Sequence, residues 1–167
     1  MPTRVFIRHP THADEQEFLT AAALSRALHR PWTHVPRFAS EYQSWLRRMD
    51  LPTNKAFLVC RSDNNAIVGV INLTNIMLGL FRSAYLGYYV FAGHERRGLM
   101  REGMQLVLRH AFKVLKLRRV EANIQPDNVA SLALIRSCRF AKEGFSPRYL
   151  KIGGRWKDHE RWALVAG

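Results

Sequence analysis

The sequence lacks long hydrophobic runs and has few cysteines. No uninterrupted apolar stretch approaches about 18 residues, the length that a membrane-spanning helix requires. The N-terminal residues also lack the apolar run of a signal peptide. The two cysteines, Cys60 and Cys138, are far apart in the chain and match no metal-ligand spacing. We therefore expect a cytoplasmic protein with reduced thiols and no bound metal.

Acidic residues are scarce relative to basic ones. The chain has 26 Lys and Arg residues against 13 Asp and Glu residues, which gives a net charge of +13. A small soluble domain typically carries a net charge of roughly 2 to 8. The excess indicates an anionic partner, either a phosphate-rich cofactor or an RNA-rich assembly, although a surface adapted for solubility is the alternative.

The length of 167 residues predicts one domain over residues 1–167, without repeats or linkers.

The hydrophobic periodicity predicts a mixed order of strands and helices. The expected order is strand, two helices, three strands, helix, strand, helix and two strands, which is an α+β arrangement. The predicted strands span residues 5–8, 56–61, 66–73, 84–92, 119–125, 140–152 and 155–165. The predicted helices run from Thr11 or Asp14 to Leu28, over 39–49, from Gly98 to Leu115 and over 128–137.

The junction between the fourth strand and the third helix has the composition of an anion site. Several backbone N–H groups at a helix start lack partners, and the helix dipole favours negative charge there. Arg96 and Arg97 supply cations at this junction, and Gly98 leaves the backbone unhindered. These residues suit a pyrophosphate, although an ordinary loop with solvated arginines is the alternative.

A second polar segment runs from residue 120 to residue 131. Glu121, Asn123 and Gln125 share one face of the predicted strand, which suits a polar cleft. Asn128 and Ser131 follow, three residues apart at the start of the next helix, and can point into the same cleft. Simple capping of that helix is the alternative role for these two residues.

Further motifs occur in a fixed order along the chain. They are Tyr85-Leu86-Gly87-Tyr88, Arg97-Gly98-Leu99-Met100, the run from Pro126 to Ser131, Glu143-Gly144, and the run from Tyr149 to His159. In this combination the chain resembles the GNAT acetyltransferases, and within them the RimJ-like acetyltransferases of ribosomal-protein N-termini. The resemblance implies a GNAT fold, an α+β arrangement with a mixed, mostly antiparallel sheet of about seven strands and four flanking helices.

The same resemblance implies acetyl-CoA as cosubstrate, no metal, and a set of site residues. The backbone groups of Val90 and Phe91 would bind the pantetheine arm, as would Asn128. Ser131 matches a position that can protonate the leaving thiolate. The pyrophosphate would be held by the turn that contains Arg96, Arg97, Gly98, Leu99 and Met100.

Two residues depart from the family pattern. Glu95 stands where the family usually has Gln or Arg, and we expect its carboxylate to point outward, away from the phosphates. Arg139 follows the last helix where the family usually has Gly. An arginine in a left-handed cap would cost about 1 kcal/mol.

The acceptor is expected to be a protein N-terminus. An α-amine has a reference pKa of about 7.7–8.0 and lysine one of about 10.4, so deprotonation at pH 7 costs roughly 1–1.4 kcal/mol and about 4.6 kcal/mol respectively. A weak, water-relayed base would therefore manage an α-amine more readily. Glu121 is the candidate for that base, and a structural partner for Arg118 or Arg119 is its alternative role.

Other functions fit the sequence as well. One is acetylation of a small amine such as an antibiotic, an amino acid or a polyamine. Another is a catalytically idle fold that binds RNA or the ribosome through its basic surface. The sequence leaves the acceptor identity open, together with the choice between monomer and homodimer.

Overall fold

The structure, a computed structural model, describes residues 3–167. It contains strands β1 (Val5–Arg8), β2 (Lys55–Arg61), β3 (Ile67–Met77), β4 (Ser83–Val90), β5 (Arg119–Ile124), β6 (Ala141–Ile152) and β7 (Arg155–Val165). Its α-helices are α1 (Glu15–Leu24), α2 (Arg26–His29), α3 (Ala39–Met49), α4 (Leu99–Lys113) and α5 (Val129–Ser137), and a 3-10 turn spans His12–Asp14. No helix in this part of the chain is long and apolar enough to cross a membrane.

The seven strands form one mixed sheet in the order β1-β2-β3-β4-β5-β7-β6. All neighbouring strands are antiparallel except β4 and β5, which are parallel. The predicted α+β class and the predicted sheet of about seven strands are therefore confirmed. The bounds of β1, α3 and β7 agree with the predicted ones, whereas β3 extends four residues further, to Met77.

The structure has five helices rather than the predicted four, because the first predicted helix is broken at Ser25. This residue has φ −111° and ψ 10°, outside the helical range. Its Oγ donates to the carbonyl of Ala21 at 2.6 Å and accepts the N–H of Ala92 at 2.8 Å. A serine side chain that bonds the backbone competes with the helical ladder. The segment from Glu15 to His29 therefore forms α1 and the short α2.

The sheet has two differently covered faces. On one, here called the α4 face, Leu86 of β4 packs in a core with Met104 of α4 and Ile135 of α5. On the other, the α1–α3 face, Tyr89 and Phe91 pack in a separate core, whose helix residues are Phe18, Ala22, Tyr42 and Trp45. Successive side chains of a strand point to opposite faces, so Tyr85 and Gly87 share the α1–α3 face with Tyr89. Both are exposed.

A gap opens between the two parallel strands. β4 and β5 pair from Ser83 and Arg119 as far as Leu86 and Ala122. β4 then continues to Val90 and β5 to Ile124 without pairing to each other. Strands that separate in this way leave backbone groups on their facing edges free of the sheet ladder. The gap therefore offers a place where a ligand can bond the edge of a strand.

Candidate active site

A cleft of about 1090 Å³ lies at the open end of the gap between β4 and β5. Its walls come from four parts of the chain. They are the end of β4 (Tyr88, Tyr89, Val90), the start of α4 and the turn before it (His94, Glu95, Arg96, Gly98 to Arg101), the α5 segment from Asn128, and α2 with the residues after it (Ala27, Leu28, His29, Trp32, Thr33). The fold therefore brings together, at one site, four segments that are far apart in the sequence.

Most of the site residues predicted from the sequence line this cleft. The predicted residues that line it are Val90, Arg96, Gly98, Leu99, Met100, Asn128 and Ser131. Phe91, Arg97 and Glu121 are not among its lining residues. Arg97 instead lines a second cavity of about 490 Å³ on another side of the α4 start, together with Arg4 and Arg61. Of the residues predicted to hold the pyrophosphate, Leu99 lines both cavities and Arg97 lines only the second.

The backbone N–H and C=O groups of successive β4 residues point alternately to β3 and to the gap. The N–H of Phe91 donates to the carbonyl of Val68 at 2.8 Å, so the backbone of Phe91 faces β3. In an antiparallel pair the neighbouring residue turns its backbone groups to the opposite side, so Val90 faces the gap. Val90 is therefore the residue whose backbone groups face the gap, whereas the N–H of Phe91, the other residue predicted to offer backbone groups, is bonded to β3.

His29 of α2 is a site residue that the sequence did not single out. Its Nε2 lies 2.7 Å from the carbonyl oxygen of Val90, and its ring packs edge-on against Tyr89 and Phe91. Burial lowers the pKa of His29, and the bond to the Val90 carbonyl opposes this effect only in part. The imidazole is therefore neutral with its proton on Nε2, and this N–H donates to the carbonyl oxygen of Val90. The N–H of Val90 then remains as the gap-facing donor of that residue.

Ser25 provides a second anchor for the same end of β4. Its Oγ accepts the N–H of Ala92, two residues beyond Val90. Ser25 and His29 are four residues apart and both buried. Only this polar i, i+4 pair within an apolar segment could have indicated the contact from the sequence, and helix capping would explain the same pattern.

The turn before α4 has the backbone freedom that an anion site needs. Gly98 has φ 76° and Arg96 has φ 62°, both in the left-handed region, and α4 begins at Leu99. Met100 is buried and packs against Gly69 of β3, where an added Cβ would lie 2.7 Å from the Met100 sulfur. The absence of a side chain at Gly69 thus makes room for methionine in this turn.

Glu95 does not point away from the turn, contrary to the expectation from the sequence. Its Oε2 accepts the N–H of Gly93 at 2.7 Å, and the residue lines the cleft. Backbone N–H groups, above all its own and then that of Gly93, lower the pKa of the Glu95 carboxyl. The carboxylate therefore accepts hydrogen bonds from the backbone of its own loop and so stabilises that loop.

At the start of α5, Asn128 and Ser131 form the helix cap and also line the cleft. Asn128 Oδ1 accepts the N–H of Ser131 at 3.3 Å, which is an N-cap. The Oγ of Ser131 lies 2.7 Å from the hydroxyl of Tyr88 on β4. Burial raises the pKa of Tyr88, so this phenol stays protonated. The Tyr88 hydroxyl therefore fixes the orientation of the Ser131 hydroxyl at the wall of the cleft.

Glu121 is held by an arginine. Its Oε1 accepts from Nε of Arg119 at 2.6 Å, and the other nitrogens of Arg119 bind the carboxylate of Glu143. Glu121 pairs with Tyr85 inside the closed part of the β4–β5 ladder, before the gap opens. Of the two roles that the sequence left open, the structure shows the pairing with Arg119.

The part of the chain that the structure describes contains no cluster of potential metal-ligating side chains. Within residues 3–167, no group of three or more His, Cys, Asp or Glu side chains could hold a metal ion. The cleft instead offers backbone N–H groups, arginine and hydroxyl groups. These donors suit a phosphate-bearing thioester such as acetyl-CoA.

Comparisons with known proteins agree with this geometry. The model of the acetyltransferase (GNAT) domain family matches residues 4–141. The chain is 30% identical over 170 residues to the [ribosomal protein uS5]-alanine N-acetyltransferase of Escherichia coli (strain K12), covering 97% of this chain and 88% of that protein. It is 32% identical over 126 residues to a probable N-acetyltransferase of Bacillus subtilis (strain 168), covering 75% of this chain and 68% of the relative.

A solved structure supports the fold. The RimJ protein of Mycobacterium smegmatis, determined in complex with CoA-disulfide, superposes with a TM-score of 0.90 at 24% identity. The alignment covers 97% of this chain and 82% of that one. The family match spans most of the chain and includes the turn before α4 and the start of α5. The chain therefore belongs to the GNAT acetyltransferases, enzymes that transfer an acetyl group from acetyl-CoA.

Proposed function

We propose that this enzyme acetylates the N-terminal α-amine of a protein, such as a ribosomal protein. The observation that carries the proposal is the pairing of Glu121 with Arg119 on the side of the sheet opposite α4 and α5. The phosphate turn and α5 border the cleft on the α4 face, so the acceptor reaches the gap from the α1–α3 face. We call the uncovered part of that face the acceptor surface; it comprises Tyr85, Gly87, Glu121, Asn123 and Arg161.

The charges of the acceptor surface favour an acceptor with a single amine. Glu121 and the neighbouring Glu143 share the single guanidinium of Arg119, so these three side chains together carry only one net negative charge. Arg161, which pairs with Asn123, adds a further positive charge. A polyamine carries several positive charges and would need unpaired acids, whereas a protein N-terminus brings one amine with a reference pKa of about 7.7–8.0. The surface therefore suits an α-amine better than a polyamine.

The cleft residues supply the remaining steps of the transfer. The amine nitrogen attacks the thioester carbonyl, and the N–H of Val90 can donate to the oxygen on which negative charge develops. The C–S bond then breaks, the hydroxyl of Ser131 gives its proton to the departing thiolate, and solvent water returns a proton to Ser131. The amine loses its proton to solvent water. Glu121 is poorly placed to remove this proton directly, because its carboxylate bonds Arg119 within the closed part of the β4–β5 ladder, before the gap opens.

A ribosomal acceptor is supported by the charge of the whole chain and by the relatives. The net charge of +13 attracts the enzyme to anionic, RNA-rich assemblies. The E. coli relative, which aligns with nearly the whole chain, is named for the alanine N-terminus of ribosomal protein uS5. Both observations support a ribosomal protein as the class of acceptor.

The test measures thiol release from acetyl-CoA by the purified protein with matched acceptors. A peptide with a free α-amine should be acetylated, while the same peptide with a blocked N-terminus and a free lysine should not. Polyamines and amino acids at equal concentration should react at least ten times more slowly than the free peptide. Preferential acetylation of a polyamine would overturn the proposal, and the absence of acetyl-CoA binding by calorimetry would favour an idle fold instead.

A further inference from the structure

The β6–β7 hairpin extends beyond the rest of the sheet. β7 pairs with β5 only from Val165 to Glu160, and the partner of Glu160 is Ile124, the last residue of β5. The part of β7 before Glu160 pairs with β6 alone and extends about 17 Å by the ordinary rise of a strand. We call the end of this hairpin, residues 150–157, the arm. β4 and β5 separate towards the same end of the sheet, so the arm projects beside the open end of the gap.

The arm contains basic residues and no acidic one. Its basic residues are Lys151, Arg155 and Lys157. None of these three side chains forms an ion pair with another described residue. The acids that follow the arm are bonded elsewhere, since Asp158 Oδ1 accepts the N–H of Arg148 at 2.8 Å and Glu160 pairs with Lys142. The arm is therefore a local excess of positive charge, which attracts an anionic partner.

The cations of the arm lie on both of its faces. Alternate residues of a strand share a face, so Arg155 and Lys157 point to the same side as Arg161 of the acceptor surface. Lys151 and its direct partner Trp156 point to the opposite side. Lys151, Arg155 and Trp156 are all exposed. A rigid, flat partner would meet only one of these faces, whereas a flexible polyanion can pass along both.

An exposed tryptophan lies among these cations. Trp156 is 60% exposed, although tryptophan is on average a highly buried residue type. Trp162, on the same strand and the same face, is buried. The partner of Trp156 across the hairpin is Lys151, and its neighbours in the chain are Arg155 and Lys157. Single-stranded nucleic acids bind to such an arrangement, because the cations hold phosphates and a base stacks on the aromatic ring.

The base of the arm adds a fourth cation through an irregular backbone. β6 is an edge strand, and its register with β7 shifts between Ser146 and Leu150. Within this stretch Arg148 has φ 47°, in the left-handed region that favours glycine, and its N–H is held by Asp158. Irregularities of this kind on edge strands change the direction of a side chain. Arg148 is exposed, so its guanidinium is available to a ligand of the arm.

We propose that the arm binds single-stranded RNA, with phosphates on Arg148, Lys151, Arg155 and Lys157 and a base stacked on Trp156. A double helix is stiff and pairs its bases, whereas a single strand can follow cations on both faces and offers an unpaired base. The arm projects beside the gap, so bound RNA lies next to the acceptor surface and holds an RNA-associated acceptor close to the thioester. RNA binding requires no acceptor and therefore does not rest on the proposed function.

Fluorescence anisotropy with an oligouridine strand of about 12 nucleotides, over a series of salt concentrations, tests the arm. K151E/R155E should weaken binding at least tenfold and reduce the slope of log K against log salt by at least about 1.4, because two phosphate contacts are lost. R109E/K113E is the matched control, since it reverses two exposed charges of α4, and it should weaken binding less than threefold. W156A should weaken binding at least fivefold without changing the salt slope.

Each variant should keep a melting temperature, an acetyl-CoA Kd and a rate with a free peptide close to those of the wild type, because none of the changed residues lines the cleft. Equal weakening by the two double variants would assign RNA binding to net charge and overturn the proposal. Tighter binding of a duplex of the same length, unchanged binding by W156A, or no measurable binding by the wild type would also overturn it. Acetylation of small amines alone would overturn the proposed function and leave RNA binding by the arm in place.

Discussion

At the scale of single residues, Arg139 holds a backbone conformation that favours glycine. It follows α5 with φ 67°, as the family pattern predicted from the sequence, and its N–H donates to the carbonyl of Arg136. A left-handed residue with a side chain costs roughly 1–2 kcal/mol. We expect R139G to raise the free energy of unfolding by about 1 kcal/mol, net of the greater freedom of glycine in the unfolded chain.

Chemical denaturation of R139G and of a matched variant, R109G, measures this effect. Arg109 is an exposed residue within α4, so the same side chain is lost at a helical position. Glycine should lower stability there by about 1 kcal/mol. The two variants should therefore shift the midpoint in opposite directions. Destabilisation of both would mean that the Arg139 side chain contributes more than its backbone strain costs.

Ser131 is the second residue whose role can be isolated. Its hydroxyl bonds Tyr88 and lines the cleft, where we propose that it protonates the thiolate. We expect S131A to lower kcat about 100-fold, the lower end of the effect of a general acid, with the acetyl-CoA Kd changed less than threefold. Y88F should cause a smaller loss of kcat, because it removes only the group that orients the hydroxyl.

Stopped-flow detection of thiol release gives kcat, and calorimetry gives the Kd. S44A serves as control, because Ser44 of α3 is half-buried outside the cleft lining, and Arg47 is the only partner of its hydroxyl among the described residues. If S131A retained full kcat, Ser131 would be no more than part of the α5 cap. A loss of acetyl-CoA affinity without a change in kcat would assign it to cofactor binding alone.

At the scale of secondary-structure elements, the contact between α2 and β4 joins the two sides of the cleft. Burial lowers the pKa of His29, so the folded protein favours the neutral imidazole. The stability that this group contributes is complete above its unfolded pKa of about 6.5 and is lost as the pH falls through the lower folded pKa. We expect the free energy of unfolding to decrease as the pH is lowered from 7 towards 5.

H29Q separates this contribution from those of other histidines. Burial also lowers the pKa of His94 and of His110, so part of the pH dependence should remain in the variant. Glutamine can still donate to the Val90 carbonyl but does not titrate. Urea denaturation between pH 5 and 7.5 should therefore show a shallower slope for H29Q than for the wild type. Identical slopes would show that His29 is not the buried, neutral group that the structure describes.

The sequence predicted the elements better than the contacts between them. The glycine pair Gly153-Gly154 located the start of β7, and helical periodicity located α3, both to the residue, because local sequence patterns determine such elements. The break at Ser25 escaped prediction, since it depends on a hydrogen bond to Ala92 far along the chain. The bond of Phe91 to Val68 escaped for the same reason, as register with a neighbouring strand decides which way a backbone faces.

At the scale of the whole molecule, the gap in the sheet separates the two surfaces that we propose bind the cofactor and the acceptor. Arginines and the start of α4 lie on the cofactor side, whereas the acceptor surface carries paired acids. Family motifs in the sequence indicated the cofactor side, because a pyrophosphate constrains the turn that holds it. The sequence also placed Glu121 and Asn123 of the acceptor surface on one strand face, whereas the continuation of that surface across Tyr85 and Gly87 depends on the parallel pairing of β4 with β5, which local patterns do not reveal.

The net charge of +13 also affects the stability of the fold as a whole. Like charges on a compact protein repel one another more than on the extended chain, and salt screens this repulsion over a Debye length of about 10 Å at 0.1 M. Most ion pairs of the structure lie at the surface, where each contributes roughly 0–1 kcal/mol and is itself weakened by salt. We therefore expect the loss of repulsion to exceed the loss of these pairs, so that the melting temperature rises from 20 to 300 mM sodium chloride.

Thermal unfolding at neutral pH and at pH 10.5 distinguishes screening from other effects of salt. Near the pI of about 10.7 the net charge is small, so the same addition of salt should have little effect on the melting temperature. Bound anions provide a second comparison, because sulfate at equal ionic strength should stabilise more than chloride if it occupies the turn at Gly98. A melting temperature that falls with salt at neutral pH would instead mean that pairs such as Arg119 with Glu121 and Glu143 contribute more than the overall repulsion costs.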